Sequence, residues 1–335
     1  MPQGSTGRIA VLGAGAWGTA LAIQAARAGH EVGLWARDPA RAAALAATRE
    51  NASYLPGAPL PPAIAPTADA AAALAGAAVV LVVVPVQFLR PVLTDLRPAI
   101  EADGTPLIVC SKGVERGTRL LPLEILEALF PALPAAVLSG PNFAHEVAKG
   151  LPAAAVLASR DAALRRVAGE MLGTSGFRIY GGDDPVGVQV GGAAKNVIAI
   201  AAGAVIGAGL GENARAALVT RGLAELSRLA VALGGRAETA SGLSGLGDLL
   251  LTTTGPGSRN TSLGHALGQG LSLAAALAGR AGVAEGVATA PALVARAAEA
   301  GVELPICAAV ADLLAGGLSV EDAMGRLLAR PRRDE

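Results

Sequence analysis

Ile9-Ala10-Val11-Leu12-Gly13-Ala14-Gly15-Ala16-Trp17-Gly18 is the stretch whose reading decides the fold. A short apolar run ends on glycines spaced G-x-G-x-x-G, and a helical stretch, Thr19 to Ala28, follows. Gly29-His30 then turns into a second strand, Glu31 to Ala36. Strand, glycine turn, helix, strand is a βαβ unit, and each glycine has its own task. Gly13 allows the tight turn. Gly15 lets a pyrophosphate approach the backbone, and Gly18 lets helix and strand pack closely. The start of the helix adds free N–H groups and a positive dipole end for phosphate. Glycine is common here, 44 of 335 residues, so the spacing alone is a weak signal. Its strand-to-helix setting carries the dinucleotide reading; a methyltransferase-like or purely structural glycine turn is the alternative.

Working outward, a helix is expected from Pro39 to about Thr48, and the proline-rich stretch Leu55 to Pro66 reads as loop. Val79 to Val84 is a continuous apolar run ended by Pro85, the mark of a strand buried on both faces of a parallel sheet. Leu107 to Cys110, Ala136 to Leu138, Ala153 to Leu157 and Phe177 to Tyr180 read as further strands with helical segments between most of them. After Pro185 the pattern is helical throughout: Gly187 to Ala208, Ala214 to Leu233, Ser262 to Leu267, Leu273 to Ala278, Pro291 to Ala300, Pro305 to Leu314 and Val320 to Leu328. The expectation is an open α/β sheet of the Rossmann type over residues 1–185, followed directly by an all-helical domain over 186–335.

Composition narrows the function. Net charge is +0 with no long basic run, and aromatics are 2%, so neither phosphate neutralisation nor base stacking points to a nucleic-acid partner. Cys110 and Cys307 lie far apart in apolar surroundings and read as buried, reduced thiols. No metal site is expected: His145-Glu146 begins a metalloprotease motif, but Lys149 stands where the second histidine would be. Met1 to Gly7 reads as a short polar lead rather than a secretory leader. Ala70 to Val86 is broken by Gly76 and Pro85, and Val197 to Leu210 is too short to span a bilayer, so both read as buried elements of a globular core and membrane insertion is not expected.

The end of the second strand is where an acidic residue would read the ribose of NAD. Arg37 is there instead, with Asp38 next. Arginine pairs with a 2′-phosphate, which favours NADP, while Asp38 keeps NAD open. The plainer reading is a solvated pair in a turn.

Three pieces suggest a reaction and are expected to meet in one cleft. Lys195 sits within Gly191-Gly192-Ala193-Ala194-Lys195-Asn196-Val197-Ile198-Ala199-Ile200, where a charge must snorkel, find a partner or shift its pKa. Ser244-Gly245-Leu246-Gly247-Asp248 delivers a carboxylate on a glycine-rich turn. Ser258-Arg259-Asn260 precedes a helix and offers a hydroxyl, a guanidinium fork and an amide to one phosphate, against the plainer reading of a helix cap and a surface charge. Hydride transfer to a ketone leaves an alkoxide that needs a proton, which a lysine ammonium can give and an amine can take back. Asp248 would hold that ammonium.

Gly192-Ala193-Ala194-Lys195-Asn196-Val197-Ile198-Ala199-Ile200-Ala201-Ala202-Gly203 closely resembles the signature of the NAD(P)-dependent glycerol-3-phosphate dehydrogenases. Gly13-Ala14-Gly15-Ala16-Trp17-Gly18, Ser139-Gly140-Pro141-Asn142-Phe143-Ala144, Gly245-Leu246-Gly247-Asp248-Leu249, Ser258-Arg259-Asn260 and Val283-Ala284-Glu285-Gly286 match the same family in the same order. The resemblance implies a helical domain of the 6-phosphogluconate dehydrogenase C-terminal-like kind. It also implies reversible interconversion of dihydroxyacetone phosphate and sn-glycerol 3-phosphate, with Lys195 as proton donor and acceptor and glycerol 3-phosphate supplied to phospholipid synthesis. Lys112, Gly140, Asn142, Asp248, Ser258, Arg259 and Asn260 would bind substrate. Gly13, Gly15, Ala16, Trp17, Gly18, Arg37, Lys112, Ala144, Arg259, Val283 and Glu285 would contact the cofactor. Ala16 and Asn142 depart from the family's usual serine or threonine, which removes one hydroxyl and changes another to an amide. The rivals are a related hydroxy-acid or ketopantoate-type dehydrogenase, whose carboxylate substrate Ser258-Arg259-Asn260 could also grip, and a non-catalytic NAD(P) sensor. A homodimer through the helical domain is expected, because its apolar helices exceed what so small a domain needs to bury.

Overall fold

The computed structural model describes residues Gly7–Gly255, Gly257–Ala278 and Ala284–Ala329. It contains two compact units. One comprises the chain up to Lys112 together with Leu121–Gln189; the other comprises Gly113–Leu120 and the chain from Val190 on.

The first unit is built on strands β1 (Arg8–Leu12), β2 (Glu31–Trp35), β3 (Glu50–Asn51), β4 (Leu55–Pro59), β5 (Ile64–Thr67), β6 (Ala77–Val82), β7 (Leu107–Val109), β8 (Ala135–Ser139), β9 (Ala153–Ala158) and β10 (Phe177–Gly182). Eight of them form one sheet in the order β10-β9-β8-β7-β6-β1-β2-β5, while β3 and β4 pair separately. The sheet is parallel except between β8 and β9, which run antiparallel. β1 lies between β2 and β6, in register with both from Ile9 on. The chain therefore winds outward in both directions from β1, and the carboxyl ends of β1 and β6 mark the switch point where such sheets bind ligands. Ile9, Val11, Leu21, Leu34, Val79, Leu81 and Ile108 fill the core on one face, each less than 2% exposed.

Three local expectations change. Leu55 to Pro66 is not loop throughout, since it supplies β4 and the start of β5. β5 is an edge strand, where Pro66 needs no ladder N–H on its outer side. The first helix begins at Ala16 rather than Thr19, its first turn hidden by Gly18. β6 leaves the ladder at Val82, two residues early, and Val83 turns in beside the glycines.

Among its described residues the second unit has no strand. Its central element is the helix Pro185–Gly207, which starts in the first unit, where Asp184 caps it by accepting from the Gly187 N–H at 2.9 Å. At 23 residues, with a mean hydropathy of 1.6 over its most apolar 18-residue window, it is long enough to cross a membrane, unlike the shorter segment read from sequence. Yet 83% of its most apolar window is buried in protein. The helices Gly211–Ala232, Arg259–Gly268, Glu285–Glu299, Pro305–Leu314 and Val320–Leu328 follow. Pro291 lies inside Glu285–Glu299 instead of opening it; the helix tolerates the missing N–H two turns in.

Glu225, 3% exposed on Gly211–Ala232, accepts from the N–H groups of Ile306 (2.6 Å) and Cys307 (3.2 Å). It thereby caps a neighbouring helix from the side. Burial pushes its carboxyl above the ordinary value of 4.5, against the pull of those donors and of Arg228. A carboxyl raised in the folded state stabilises the fold below its unfolded pKa, and that contribution is lost as pH rises through the folded value. Replacing Glu225 with Gln removes this titration. The wild-type melting temperature should therefore fall relative to Glu225→Gln as pH rises above 4.5. Parallel pH profiles in thermal unfolding would show that the carboxyl does not titrate differently on folding.

Candidate active site

In the first unit the glycine turn sits at the switch point. A side chain at Gly13 (φ +118°) would strike the Val83 carbonyl oxygen at 2.6 Å, and one at Gly18 would strike the Gly13 oxygen at 1.8 Å. A side chain at Gly15 would meet nothing within 4 Å. Two glycines are thus required by packing, while the third faces open space. Gly15 also caps the helix Ala16–Arg27 without any side-chain bond, so the first N–H groups stay available for an anion.

Two residues that sequence reading missed hold the turn from behind. Asn51, 2% exposed, donates to the Ala14 carbonyl (3.0 Å) and to the Thr19 hydroxyl (2.7 Å). Arg41 donates to the same carbonyl at 2.6 Å and lies 3.8 Å over the Tyr54 ring. Neither belongs to a motif; only the fold brings them to Ala14. Arg37 is exposed beyond β2. Asp38 accepts from the Ala40 N–H at 3.0 Å and caps the helix Pro39–Thr48, so its carboxylate already has a structural use.

Lys112 Nζ donates to the Gly140 carbonyl at 3.1 Å. Gly140 has φ +145°, and an added Cβ would lie 2.9 Å from the Ala155 Cα, so only glycine fits. Asn142 donates to the Ala154 carbonyl at 2.9 Å. Its Oδ1 is buried without a partner among the described residues, so the amide keeps one acceptor unused. Ala144 opens the short helix Ala144–Lys149. Ala16 and Trp17 form the first turn of the helix after the glycines.

In the second unit Lys195 finds its partners. Nζ lies 2.5 Å from Asp248 Oδ1 and donates to the Thr252 hydroxyl at 2.9 Å, with the Lys195 side chain 11% exposed and Asp248 fully buried. Asp248 arrives on a π-helical turn, Leu243–Gly247, followed by the helix Asp248–Thr254. The turn is packed tightly: a Cβ on Gly245 would lie 2.1 Å from the Ala240 oxygen, and one on Gly191 2.5 Å from the Ser244 oxygen. Thr252 donates onward to the Asp248 carbonyl at 2.6 Å. Sequence reading missed Thr252, although its spacing of four from Asp248 puts both on one helix face.

Ser258 caps the helix Arg259–Gly268 by accepting from the Thr261 N–H, and its hydroxyl proton remains for another acceptor. Arg259 is exposed and Asn260 buried. Asn260 donates to Asn196 Oδ1 at 2.9 Å and accepts from the Gly286 N–H at 3.1 Å. Glu285 begins the helix Glu285–Glu299; Val283 lies outside the described residues.

A family model described as the N-terminus of NAD-dependent glycerol-3-phosphate dehydrogenase matches residues 8–165, and one described as its C-terminus matches residues 184–325. The chain belongs to this family. The glycerol-3-phosphate dehydrogenase [NAD(P)+] of Rhodospirillum rubrum is 56% identical over 327 residues, covering 98% of this chain and 93% of the relative. That of Acidiphilium cryptum is 57% identical over 326 residues, covering 97% and 98%. The crystal structure of the Coxiella burnetii glycerol-3-phosphate dehydrogenase is 40% identical, covers 97% of this chain and 99% of that one, and aligns with a TM-score of 0.92. The dehydrogenase fold expected from sequence, a Rossmann-type sheet domain followed by a helical one, is the fold of this family member.

What holds the second unit's residues together is backbone contact between Pro185–Gly207 and Arg259–Gly268. A Cβ on Gly203 would lie 2.0 Å from the Thr261 oxygen, one on Gly207 2.1 Å from the His265 oxygen, and one on Gly264 1.9 Å from the Ile200 oxygen. Gly264→Ala should therefore cost at least about 2 kcal/mol in denaturant unfolding, because one methyl must push two helices apart. An unchanged unfolding midpoint would show that the contact yields freely.

Proposed function

We propose that this chain interconverts dihydroxyacetone phosphate and sn-glycerol 3-phosphate with NADP or NAD, and that Lys195 moves the proton. Family membership over both halves supports the reaction. The observation that carries the mechanism is the ammonium of Lys195 fixed between Asp248 and Thr252 in a buried, apolar helix.

The first unit suits a dinucleotide. Open space at Gly15, an uncapped helix start at Ala16 and a turn braced by Asn51 and Arg41 form a cradle that a side chain would fill. Gly13, Gly15, Ala16, Trp17 and Gly18 would line it, with Arg37, Lys112, Ala144, Arg259, Val283 and Glu285 as further contacts. With Asp38 committed as a helix cap, Arg37 is the group placed to meet a 2′-phosphate, which favours NADP. The bound nicotinamide supplies or accepts the hydride. Ser258, Arg259 and Asn260 would hold the substrate phosphate, with Lys112, Gly140 and Asn142 completing the substrate contacts. As the ketone is reduced, Lys195 Nζ gives its proton to the new alkoxide, and in the reverse direction the neutral amine takes it from the alcohol. Asp248 and Thr252 hold Nζ in one place throughout, so the proton transfer needs no search. The product would feed phospholipid synthesis in the cytoplasm. A homodimer through the helical unit is supported by large apolar side chains left exposed there, Leu210, Val231 and Leu250 among them.

A steady-state assay with dihydroxyacetone phosphate, run with NADH and with NADPH, tests the reaction; oxidation of neither cofactor would overturn it. Lys195→Ala should lower kcat by about 10²–10⁴-fold while NADPH still binds by fluorescence titration. Near-normal turnover would remove Lys195 from the proton step. Arg37→Ala should weaken NADPH more than NADH. Equal loss for both would show that Arg37 does not read the 2′-phosphate.

A further inference from the structure

Asn260 is more than a phosphate ligand in waiting, because both ends of its amide are already engaged within the protein. Gly286 offers an N–H, so the Asn260 oxygen must face it; the Asn260 NH2 then faces Asn196 and takes up that residue's oxygen. The polarity of the chain is fixed from one end. Asn196, one residue beyond Lys195, is left with its NH2 as the terminal donor. All three residues are buried.

The N–H that starts this chain belongs to the first turn of the helix Glu285–Glu299. That turn has no cap of its own, since Ala284 stands at the N-cap and offers no side-chain acceptor. Asn260 supplies the missing acceptor from another helix. The approach is possible only at glycine: a Cβ on Gly286 would lie 2.7 Å from the Asn196 carbonyl oxygen, 2.8 Å from Asn260 Oδ1 and 2.8 Å from Ile200 Cδ1.

We infer that Gly286 is a positioning residue: its N–H aims the amides of Asn260 and Asn196 and so couples engagement of Glu285 by the cofactor to affinity for the phosphate-bearing substrate. The inference rests on the proposed function, in which Glu285 meets the cofactor and Asn260 the substrate. In that reading Gly286 is assigned no direct contact with either. Any shift of the Glu285–Gly286 turn on cofactor binding re-aims Asn260, and by linkage substrate binding favours that same turn in return.

The coupling is read as the ratio of glycerol 3-phosphate dissociation constants without and with NADPH, a pair that cannot react, measured by calorimetry on the full chain. In the wild type this ratio should lie between about 5 and 150. In Gly286→Ala, whose methyl pushes Asn260 aside, it should fall to within about twofold of 1, with NADPH affinity changed far less than the KM for dihydroxyacetone phosphate, which should rise about tenfold. A folded Gly286→Ala protein that keeps the wild-type ratio overturns the inference. Should that variant fail to fold, the wild type decides. With asparagine side chains labelled, NADPH alone should shift the NH2 resonances of Asn260 and Asn196, and unmoved resonances overturn the inference. Because this readout uses no substrate, its failure is distinct from a failure of the wild type to turn over dihydroxyacetone phosphate.

Discussion

Backbone-to-backbone contact between the helices Pro185–Gly207 and Arg259–Gly268 is the constraint on which the second unit depends. Gly203, Gly207, Gly264 and Gly268 alternate across the contact, each pressed against a carbonyl or amide of the other helix. No pair of helices carrying side chains at those positions could lie so near, since side chains ordinarily hold helix axes 8–10 Å apart. Asparagine has a short side chain. For Asn260 on one helix to reach Asn196 on the other at 2.9 Å, the helices must be this close. The glycines, one to three turns along each helix from Asn260 and Asn196, thus hold the two amides within reach.

The same economy explains how a lysine and an aspartate are kept in an apolar interior. Removing two charges from water costs several kcal/mol per ion, and their attraction repays it only with good geometry and additional hydrogen bonds. Thr252 supplies those. Its hydroxyl accepts from Lys195 and donates to the Asp248 carbonyl, so the side chain that supports the ammonium is itself fixed by the helix that bears the carboxylate. The Thr261 hydroxyl in turn donates to the Thr252 carbonyl at 2.5 Å, tying that helix to the one that carries Asn260. The Lys195–Asp248 pair and the Asn260 amide are two ends of one packed structure, which is why their geometry can be held without a large aromatic core.

Much of this was legible in the sequence, for a physical reason. Glycine spacing, an isolated charge in an apolar run and a polar triplet at a helix start are local signals, and at each the structure has a matching local feature: a tight turn, a lysine paired with Asp248 and a helix cap at Ser258. Sequence reading failed where the partner lies far along the chain. Arg41 and Asn51 brace Ala14 through a fold that places the helix Pro39–Thr48 and β3 beside the glycine turn, and no local pattern announces it. Prolines misled in both directions: Pro66 sits in an edge strand and Pro291 inside a helix, each where the lost N–H costs little. Thr252 was readable in principle, four residues after Asp248, but a threonine becomes informative only once the carboxylate beside it is known to be buried.

Composition also takes on a different meaning. A chain with 52% hydrophobic and only 2% aromatic residues has few large side chains with which to specify an interior by shape. The structure specifies its interior in another way. Small side chains let main chains approach, and close main chains make specificity out of carbonyl and amide positions, which are rigid, rather than out of side-chain shape, which is not. The glycine turn against Val83 and Gly140 against Ala155 in the first unit, and Gly191 against Ser244 and Gly286 against Asn196 in the second, are the same device used at four points. At each, a single methyl would displace the main chain it meets. Tolerance to substitution should therefore be lowest at these glycines and not at the large apolar residues of the core, where a neighbour can relax into the space.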